Sequence, residues 1–226
     1  MPGIATNLAT IRTRMHEAAL RVGRDPATVR LVAVSKTQPA TAIRTAHTTG
    51  QLLFGESRVQ EARQKRDALQ ELPLQWHLIG PLQRNKVKMA VTLFDLIESV
   101  DSLALAEEIQ RRVSTPLPIL VQINIGGEAQ KHGLAPAEAE HVIRAMAQLP
   151  GIQVRGLMTI PPWNEDPEAS RPHFRALATL ARHLAQQAIP GVTMAELSMG
   201  MSQDYTVAIE EGATLVRIGT ALFGER

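Results

Sequence analysis

Residues 29–36 have the sequence VRLVAVSK, an apolar run rich in β-branched residues that ends in serine and lysine. Its apolar residues do not alternate with polar ones, a pattern typical of a parallel strand that is covered by helices. Upstream, residues 4–22 place apolar side chains at helical spacing and predict one amphipathic helix that ends near Gly23. Lys36 therefore stands at the carboxyl end of the first predicted strand.

The same alternation of helix and strand continues along the chain. Apolar runs predict seven further strands, at residues 52–54, 75–79, 94–98, 118–123, 153–157, 193–197 and 215–218. The segments between them predict helices, at residues 40–48, 59–72, 86–91, 103–113, 137–148, 170–187 and 203–211. This order predicts an α/β fold, a single (β/α)8 TIM barrel with an extra N-terminal helix, rather than an open doubly wound sheet. Because no linker divides residues 1–226, we expect one domain.

The composition of the chain argues against several classes of protein. Of 226 residues, 44% are apolar and 20% are charged, which is ordinary for a folded domain. The net charge is only +2 and the basic residues are dispersed, so nucleic acid is not an expected partner. The absence of cysteine excludes disulfides and thiolate metal sites, and we expect no metal. Without a signal peptide or a membrane-length apolar run, the chain is predicted to be soluble and cytoplasmic.

Polar residues or glycines follow almost every predicted strand. They are Lys36, Gly55, Glu56, Ser57, His77, Gly80, Ser99, Asp101, Asn124, Met158, Thr159, Ser198, Arg217 and Gly219, with Met158 as the apolar exception. Active sites of such barrels are built at the carboxyl ends of the strands, so we expect these residues to converge on one site. The alternative is that they simply terminate strands, and for His77 a structural role in the core is the more common one.

Lys36 is the sharpest single candidate. An amine directly after a buried strand is partly desolvated, which favours its neutral and nucleophilic form and permits a Schiff base. A lysine that closes a strand and extends into water would have the same position in the sequence, so the argument needs further residues.

The segment LVRIGTALFG, at residues 215–224, predicts a strand followed by a short helix and a seat for phosphate. Barrels often bind phosphate after the last two strands, where Gly219 permits close approach of the backbone. The preceding loop adds Ser198, Gly200 and Ser202, although serine and glycine are common in any loop. Arg217 is predicted to point into the barrel, where its charge needs a ligand or a carboxylate.

Seven motifs together resemble the pyridoxal phosphate homeostasis protein family, which is related to the alanine racemase N-terminal barrel. They are AVSKTQP (33–39), FGESRVQE (54–61), WHLIGPLQRNKVK (76–88), QINIGGEAQKHG (122–133), GLMTIPP (156–162), LSMGMSQDY (197–205) and AIEEGATLVRIGTALFG (208–224). The resemblance implies that pyridoxal 5'-phosphate (PLP) is the cofactor and that Lys36 is its Schiff-base lysine. It also implies that Ser198, Gly219 and Thr220 contact the phosphate, and that Arg217 faces the pyridine nitrogen.

Three more residues complete the predicted cofactor site. Asn124 and Met158 stand at the ends of two strands and are predicted to line it. Ser57 occupies the position where the family usually has asparagine, so we expect an altered contact there rather than a lost site. A second, transient PLP contact at Lys86 or Lys131 stays open.

The resemblance covers both enzymes and a cofactor carrier. A racemase needs a second base, normally a tyrosine from an additional domain, but Tyr205 is the only tyrosine and the chain ends soon after the eighth unit. An arginine at the pyridine nitrogen also weakens PLP as an electron sink. We therefore expect a monomeric protein of PLP homeostasis that passes PLP to apoenzymes and has no catalytic residues. A PLP-dependent racemase and a Schiff-base aldolase acting on a sugar phosphate are the alternatives.

Overall fold

Eight parallel strands form a closed barrel in the order in which they occur along the chain. The computed structural model describes residues 3–128 and 132–224. The strands are β1 (Arg30–Val34), β2 (Leu53–Glu56), β3 (Gln75–Leu78), β4 (Leu96–Val100), β5 (Leu117–Gln122), β6 (Ile152–Met158), β7 (Val192–Ser198) and β8 (Leu215–Ile218). Arg30 of β1 lies opposite Leu215 of β8, and this pairing closes the sheet. The predicted (β/α)8 barrel is confirmed.

Helices cover the outside of the barrel. They are α1 (Ile4–Arg21), α2 (Ala40–Thr48), α3 (Val59–Ala68), α4 (Val87–Leu93), α5 (Leu103–Gln110), α6 (Ala139–Met146), α7 (Arg171–Gln186), α8 (Tyr205–Glu210) and α9 (Thr220–Phe223). Single 3₁₀ turns lie at Pro26–Thr28, Arg84–Lys86, Pro136–Glu138 and Pro167–Ser170. None of the helices in residues 3–128 and 132–224 has the length and hydropathy of a membrane span.

The predicted extra N-terminal helix, α1, packs over the seam between the first and last strands. It contacts α2, α8 and α9, and its apolar face is buried. The side-chain amide of Asn7 donates to the carbonyl oxygen of Leu222 at 3.0 Å, which joins α1 to α9. The helix thereby holds the two ends of the barrel sheet against each other.

Two apolar layers hold the barrel together. The larger layer lies between the strands and the helices and includes Phe54, Ile97 and Phe174, none of which reaches solvent. The smaller layer fills the barrel interior and consists of Val32, Leu53, Leu96, Leu120, Met158 and Leu215. Each such side chain contributes about 1.5–3 kcal/mol by leaving water. Because strand residues alternate between these two layers, the inward-facing positions above the interior layer are the ones that reach the carboxyl end of the barrel.

The boundaries of several elements differ from the predictions for local reasons. The fourth strand was predicted to begin at Phe94 and begins at Leu96, because the Phe94 N–H group still donates to the Ala90 carbonyl at the end of α4. The second strand was predicted to stop at Phe54 and continues to Glu56, whose buried carboxylate has a partner on α3. A long-range partner of this kind leaves no periodic signal in the sequence.

Candidate functional site

A cavity of about 890 Å³ opens at the carboxyl end of the barrel. Its lining residues lie at the carboxyl ends of six of the eight strands or in the loops that follow them: Val34, Lys36, Ser57, Ile79, Gly80, Pro81, Ile160, Pro162, Trp163, Asn164, Met201, Ser202, Gln203, Asp204, Arg217, Gly219, Thr220, Ala221 and Gly224. This is where parallel barrels place their active sites. Five of the eight predicted cofactor residues are among them, namely Lys36, Ser57, Arg217, Gly219 and Thr220.

Lys36 lies in the loop after β1, two residues beyond the last strand residue, Val34. Its side chain lines the cavity but is exposed, whereas partial desolvation was predicted. The reason is that the strand ends earlier than its sequence suggests, so the lysine leaves the packed part of the barrel. The next residue, Thr37, has a φ of 64°, a left-handed conformation that is uncommon for a β-branched residue. The loop therefore turns sharply just after the amine.

Arg217 points into the barrel as predicted and is 3% exposed. Its Nη1 atom donates to the Ser198 hydroxyl at 2.5 Å, and its Nη2 atom donates to the Thr159 carbonyl oxygen at 2.8 Å. The carboxylate of Glu98 lies 4.0 Å from Nη1 and accepts a hydrogen bond from the Ser198 hydroxyl group. The predicted requirement for a carboxylate near this guanidinium is thus met by Glu98.

His77 completes this buried chain of polar side chains. Its Nδ1 atom lies 2.7 Å from Glu98. Burial disfavours the charge on Glu98, but the hydrogen bond from His77 and the positive charge of Arg217 outweigh it and hold the pKa of Glu98 below its ordinary value. Burial lowers the pKa of Arg217, and Glu98 opposes that shift. The arrangement fixes a cation at the floor of the cavity.

The loop after β7 and the turn after β8 form one wall of the cavity. Gly200 has a φ of 90°, and a Cβ atom there would lie 2.5 Å from the Cβ atom of Ala208, so only glycine fits. The Ser202 hydroxyl accepts a hydrogen bond from the Ala221 N–H group at 3.3 Å, which joins the loop to the turn. Ser202 and Thr220 both line the cavity here, and among the described residues the Ser202 N–H group donates to no protein acceptor.

The opposite wall is formed by Ser57 and Gly80, which follow β2 and β3. A Cβ atom on Gly80 would lie 2.4 Å from the Ser57 carbonyl oxygen, so the two backbones are in direct contact. The Ser99 hydroxyl donates to the Gly80 carbonyl oxygen at 2.6 Å and fixes this turn from behind. An amine that shares the cavity with the turn at Gly219 and Thr220, with a cation at the floor, suits an aldehyde that carries a phosphate group.

Three predicted cofactor residues lie outside the cavity wall. The Ser198 hydroxyl, predicted to meet phosphate, is fully buried and is occupied by Glu98 and Arg217. The side chain of Met158 belongs to the apolar interior layer. Asn124 donates from Nδ2 to the Glu128 carbonyl oxygen at 2.9 Å and so holds its own loop. Lys86 is half-buried and does not line the cavity, while Lys131 lies outside the described residues.

Other side chains at the cavity were not singled out from the sequence. Asp204 is 7% exposed and accepts bonds from the Met201 N–H group and the Ser170 hydroxyl, which shapes the loop after β7. Glu98 had a signal, since it is a lone acid in the apolar run LIESV, but its partners lie on other strands. Trp163 projects from the long loop after β6 and is 69% exposed. The single tyrosine, Tyr205, is buried outside the cavity.

The chain matches the family model described as alanine racemase, N-terminal domain, over residues 4–226. A pyridoxal phosphate homeostasis protein of Pseudomonas aeruginosa is 46% identical over 229 residues, which cover 100% of this chain and 97% of that protein. Another, of Aquifex aeolicus, is 45% identical over 222 residues, or 97% and 96% of the two chains.

Solved structures agree with these matches. PipY of Synechococcus elongatus, solved without PLP, is 42% identical, has a TM-score of 0.88 and is matched over 98% of this chain and 100% of its own. The same protein with PLP bound has a TM-score of 0.84 over the same shares. An alanine racemase of Clostridium difficile has a TM-score of 0.76 at 15% identity, with 99% of this chain covering 57% of that one, and so shares the fold alone.

Proposed function

The chain belongs to the alanine racemase N-terminal domain family and, within it, to the pyridoxal phosphate homeostasis proteins, and on that premise we propose that it binds and stores PLP. One observation carries the proposal. Lys36 and the turn at Gly219 and Thr220 line the same cavity, so an amine and a phosphate seat face one volume. PipY, a relative of 42% identity, has been solved with PLP bound.

Lys36 holds the cofactor as a Schiff base in this proposal. The neutral amine of Lys36 would be the nucleophile for the aldehyde of PLP, with water as the leaving group. PLP supplies the aldehyde and, in enzymes, an electron sink. Exposure of Lys36 supports reversible loading, because both water and an incoming amine reach it. The lysine therefore both captures the free aldehyde and permits its later transfer.

The phosphate of PLP is assigned to the turn after β8. The Ser202 N–H group and the backbone of the turn at Gly219 and Thr220 would hold the phosphate oxygens, and Gly219 would permit their close approach. Ser198, which was expected to touch the phosphate, acts indirectly by holding Arg217. Ser57, from the opposite wall, stands where most of the family has asparagine, and its contact with PLP is expected to be altered rather than lost.

In this proposal the Arg217 guanidinium faces the pyridine nitrogen of PLP. A fixed cation beside that nitrogen disfavours its protonation, which weakens carbanion stabilisation on the ring. Its charge is held at the floor of the cavity by Glu98, Ser198 and Thr159. The relatives at 39–46% identity are named as homeostasis proteins rather than as enzymes, in agreement with a carrier.

A carrier also fits the residues that line the cavity. Racemisation requires a base on each face of the substrate, and the single tyrosine, Tyr205, lies outside the cavity. Its partner is Arg14 on α1, and burial raises the pKa of its phenol. We expect PLP-dependent apoenzymes to receive the cofactor from this protein. The monomeric state and the cytoplasmic location stay predictions.

An absorbance spectrum with added PLP tests the proposal. We expect a yellow adduct that borohydride reduces and that peptide mass mapping places on Lys36. Lys36→Ala abolishes the adduct, whereas Lys88→Ala, an exposed lysine of α4, retains it. Lys86→Ala tests the transient second contact in the same series. A colourless protein, or an adduct that survives Lys36→Ala, contradicts the proposal and favours the aldolase alternative.

Turnover assays test the carrier half of the proposal. The PLP-loaded protein is incubated with single amino-acid enantiomers and with amino-acid and keto-acid pairs. We expect no robust racemisation or transamination, and we expect an added PLP-dependent apoenzyme to gain activity. Strong turnover by the pure protein would favour the racemase alternative.

A further inference from the structure

We propose that Lys65, on α3, is a positioning residue that sets the orientation of Lys36. This proposal rests on the proposed function, since it assigns a role toward the Schiff-base lysine. The Lys65 ammonium group donates to the Ser35 carbonyl oxygen at 2.6 Å, to Glu56 at 2.7 Å and to Glu61 at 2.7 Å. All three of its protons are therefore used within the protein.

The cluster of Lys65, Glu56 and Glu61 forms hydrogen bonds with the residues on both sides of Lys36. On one side, the Ser35 hydroxyl donates to Glu56 at 2.6 Å. On the other side, the Thr37 N–H group donates to Glu61. Thr37 has a φ of 64°, a conformation that needs support from its surroundings. The residues before and after the amine are thus tied to one buried ammonium group.

The burial of Lys65 and Glu56 supports a specific role for this cluster. The side chain of Lys65 is 9% exposed and that of Glu56 is fully buried, while Glu61 is 21% exposed. A helical lysine normally extends its charged end into water, and burying two charges needs compensation. Here the hydrogen bonds that compensate for burial join Lys65, Glu56 and Glu61 to one another and to the segment from Ser35 to Thr37.

The pleat of β1 explains how the cluster acts from behind. Residues alternate between the two sides of a strand, so Val34 and Lys36 share the cavity side while Ser35 faces the helices. Lys65, Glu56 and Glu61 therefore hold the segment from the helix side and leave its cavity side free. Loss of these hydrogen bonds would free the turn at Thr37 and let Lys36 leave its position in the cavity lining.

Three variants test the proposal, with Lys88→Met as the matched surface control. Lys65→Met removes the central ammonium group. Because it leaves the Glu56 carboxylate buried without its cation, the double variant E56Q/K65M, in which only the partly exposed Glu61 keeps a charge, serves if the single variant fails to fold. Lys65→Arg restores a cation of similar reach and is expected to recover part of the wild-type behaviour.

The first readout uses protein without PLP. Hydrogen exchange of the Thr37 N–H group reports the bond to Glu61, so we expect faster exchange at residues 35–37 in Lys65→Met and in E56Q/K65M. Exchange elsewhere in the barrel stays at the wild-type rate. Unchanged exchange at Thr37 in a folded variant overturns the proposal, whatever PLP does.

The second readout follows PLP itself. Misplacement of a reacting group by about 1 Å can cost about a hundredfold in rate, so we expect adduct formation on Lys36 to slow at least about tenfold. We also expect a larger share of the bound PLP to escape borohydride trapping, which a general loss of stability does not produce. Trapping equal to wild type in folded Lys65→Met or E56Q/K65M overturns the proposal. If wild type itself gives no adduct on Lys36, the proposed function fails instead.

Discussion

The Nδ1 atom of His77 on β3 lies 2.7 Å from the carboxylate of Glu98 on β4, and both side chains are buried. Glu98 also accepts a hydrogen bond from the Ser198 hydroxyl group and lies 4.0 Å from Arg217. One carboxylate therefore joins β3 and β4 to β7 and β8 across the barrel interior. The network ties the cation at the cavity floor to the opposite side of the barrel.

Glu98→Gln is expected to destabilise the protein strongly. The amide keeps the shape of the side chain but leaves the Arg217 charge buried without its counter-charge, and such losses cost about 3–5 kcal/mol. Urea unfolding gives the free energy of unfolding for the variant and the wild type. The control is Glu71→Gln, which removes one partner of a surface ion pair. A variant at Glu98 no less stable than this control contradicts the assigned role.

The acid stability of the protein is expected to depend on Glu98. Its pKa is held below the ordinary value of 4.5, so its charge stabilises the fold above that pH. The contribution fades as the pH falls below 4.5 and is lost once the pH passes through the lowered pKa of the folded state. Unfolding free energies at a series of acidic pH values should fall more steeply in wild type than in Glu98→Gln. Parallel curves would show that Glu98 does not titrate in this way.

Gly200→Ala is expected to be more harmful than Gly50→Ala. Both glycines have positive φ, 90° and 81°, so alanine costs about 1–2 kcal/mol of backbone strain at either position. Only at Gly200 would the new Cβ atom meet a neighbour, at 2.5 Å from Ala208, which adds about 1–3 kcal/mol. Thermal unfolding compares the two variants. Equal losses would mean that the loop after β7 relaxes away from Ala208.

Trp163 should report the arrival of PLP. It lines the cavity at 69% exposure, whereas the other tryptophan, Trp76, is 3% exposed and packs against Phe54. PLP bound in the cavity absorbs the emission of a nearby indole, so added PLP should quench wild type more than Trp163→Phe. A fluorescence titration measures both, with Trp76→Phe as the control that keeps the reporting side chain. Equal quenching in wild type and Trp163→Phe would place the cofactor elsewhere.

Ser57→Asn is expected to preserve the site while changing its affinity for PLP. Ser57 lines the cavity with room beside it, and its backbone is fixed against Gly80. The change alters one polar contact, so we expect the dissociation constant to move by less than about tenfold, or about 1.4 kcal/mol. Equilibrium titration of the yellow adduct measures it. A complete loss of the adduct would mean that serine is required here.

Much of the architecture was accessible from the sequence because apolar runs and helical spacing are local signals. The helix at 40–48 and the strand at 215–218 were predicted with their observed bounds. The strand that leads to Lys36 was predicted too long, because nothing in VAVSK marks that pairing stops after Val34. Where an apolar run ends and where pairing ends are different physical events.

The site was predictable only in part, for a related reason. Arg217 and Gly219 were identified because a barrel fixes where the ends of its strands meet. Glu98 and Lys65 were not predicted as functional residues because their roles depend on hydrogen-bond partners on other elements. These partners come together only in the folded protein. Ser198 ends a strand and was predicted to contact the phosphate. Its hydroxyl group instead faces Glu98 and Arg217, which the sequence does not show.

The pairing of β1 with β8 has a consequence for a chain that is still being made. Lys36 follows the first strand, while Arg217 and Gly219 belong to the last, and the two strands become neighbours only when the barrel closes. A growing polypeptide on the ribosome therefore displays its amine long before the rest of the site exists. The proposed PLP site is therefore complete only on a molecule whose synthesis has included its final strand.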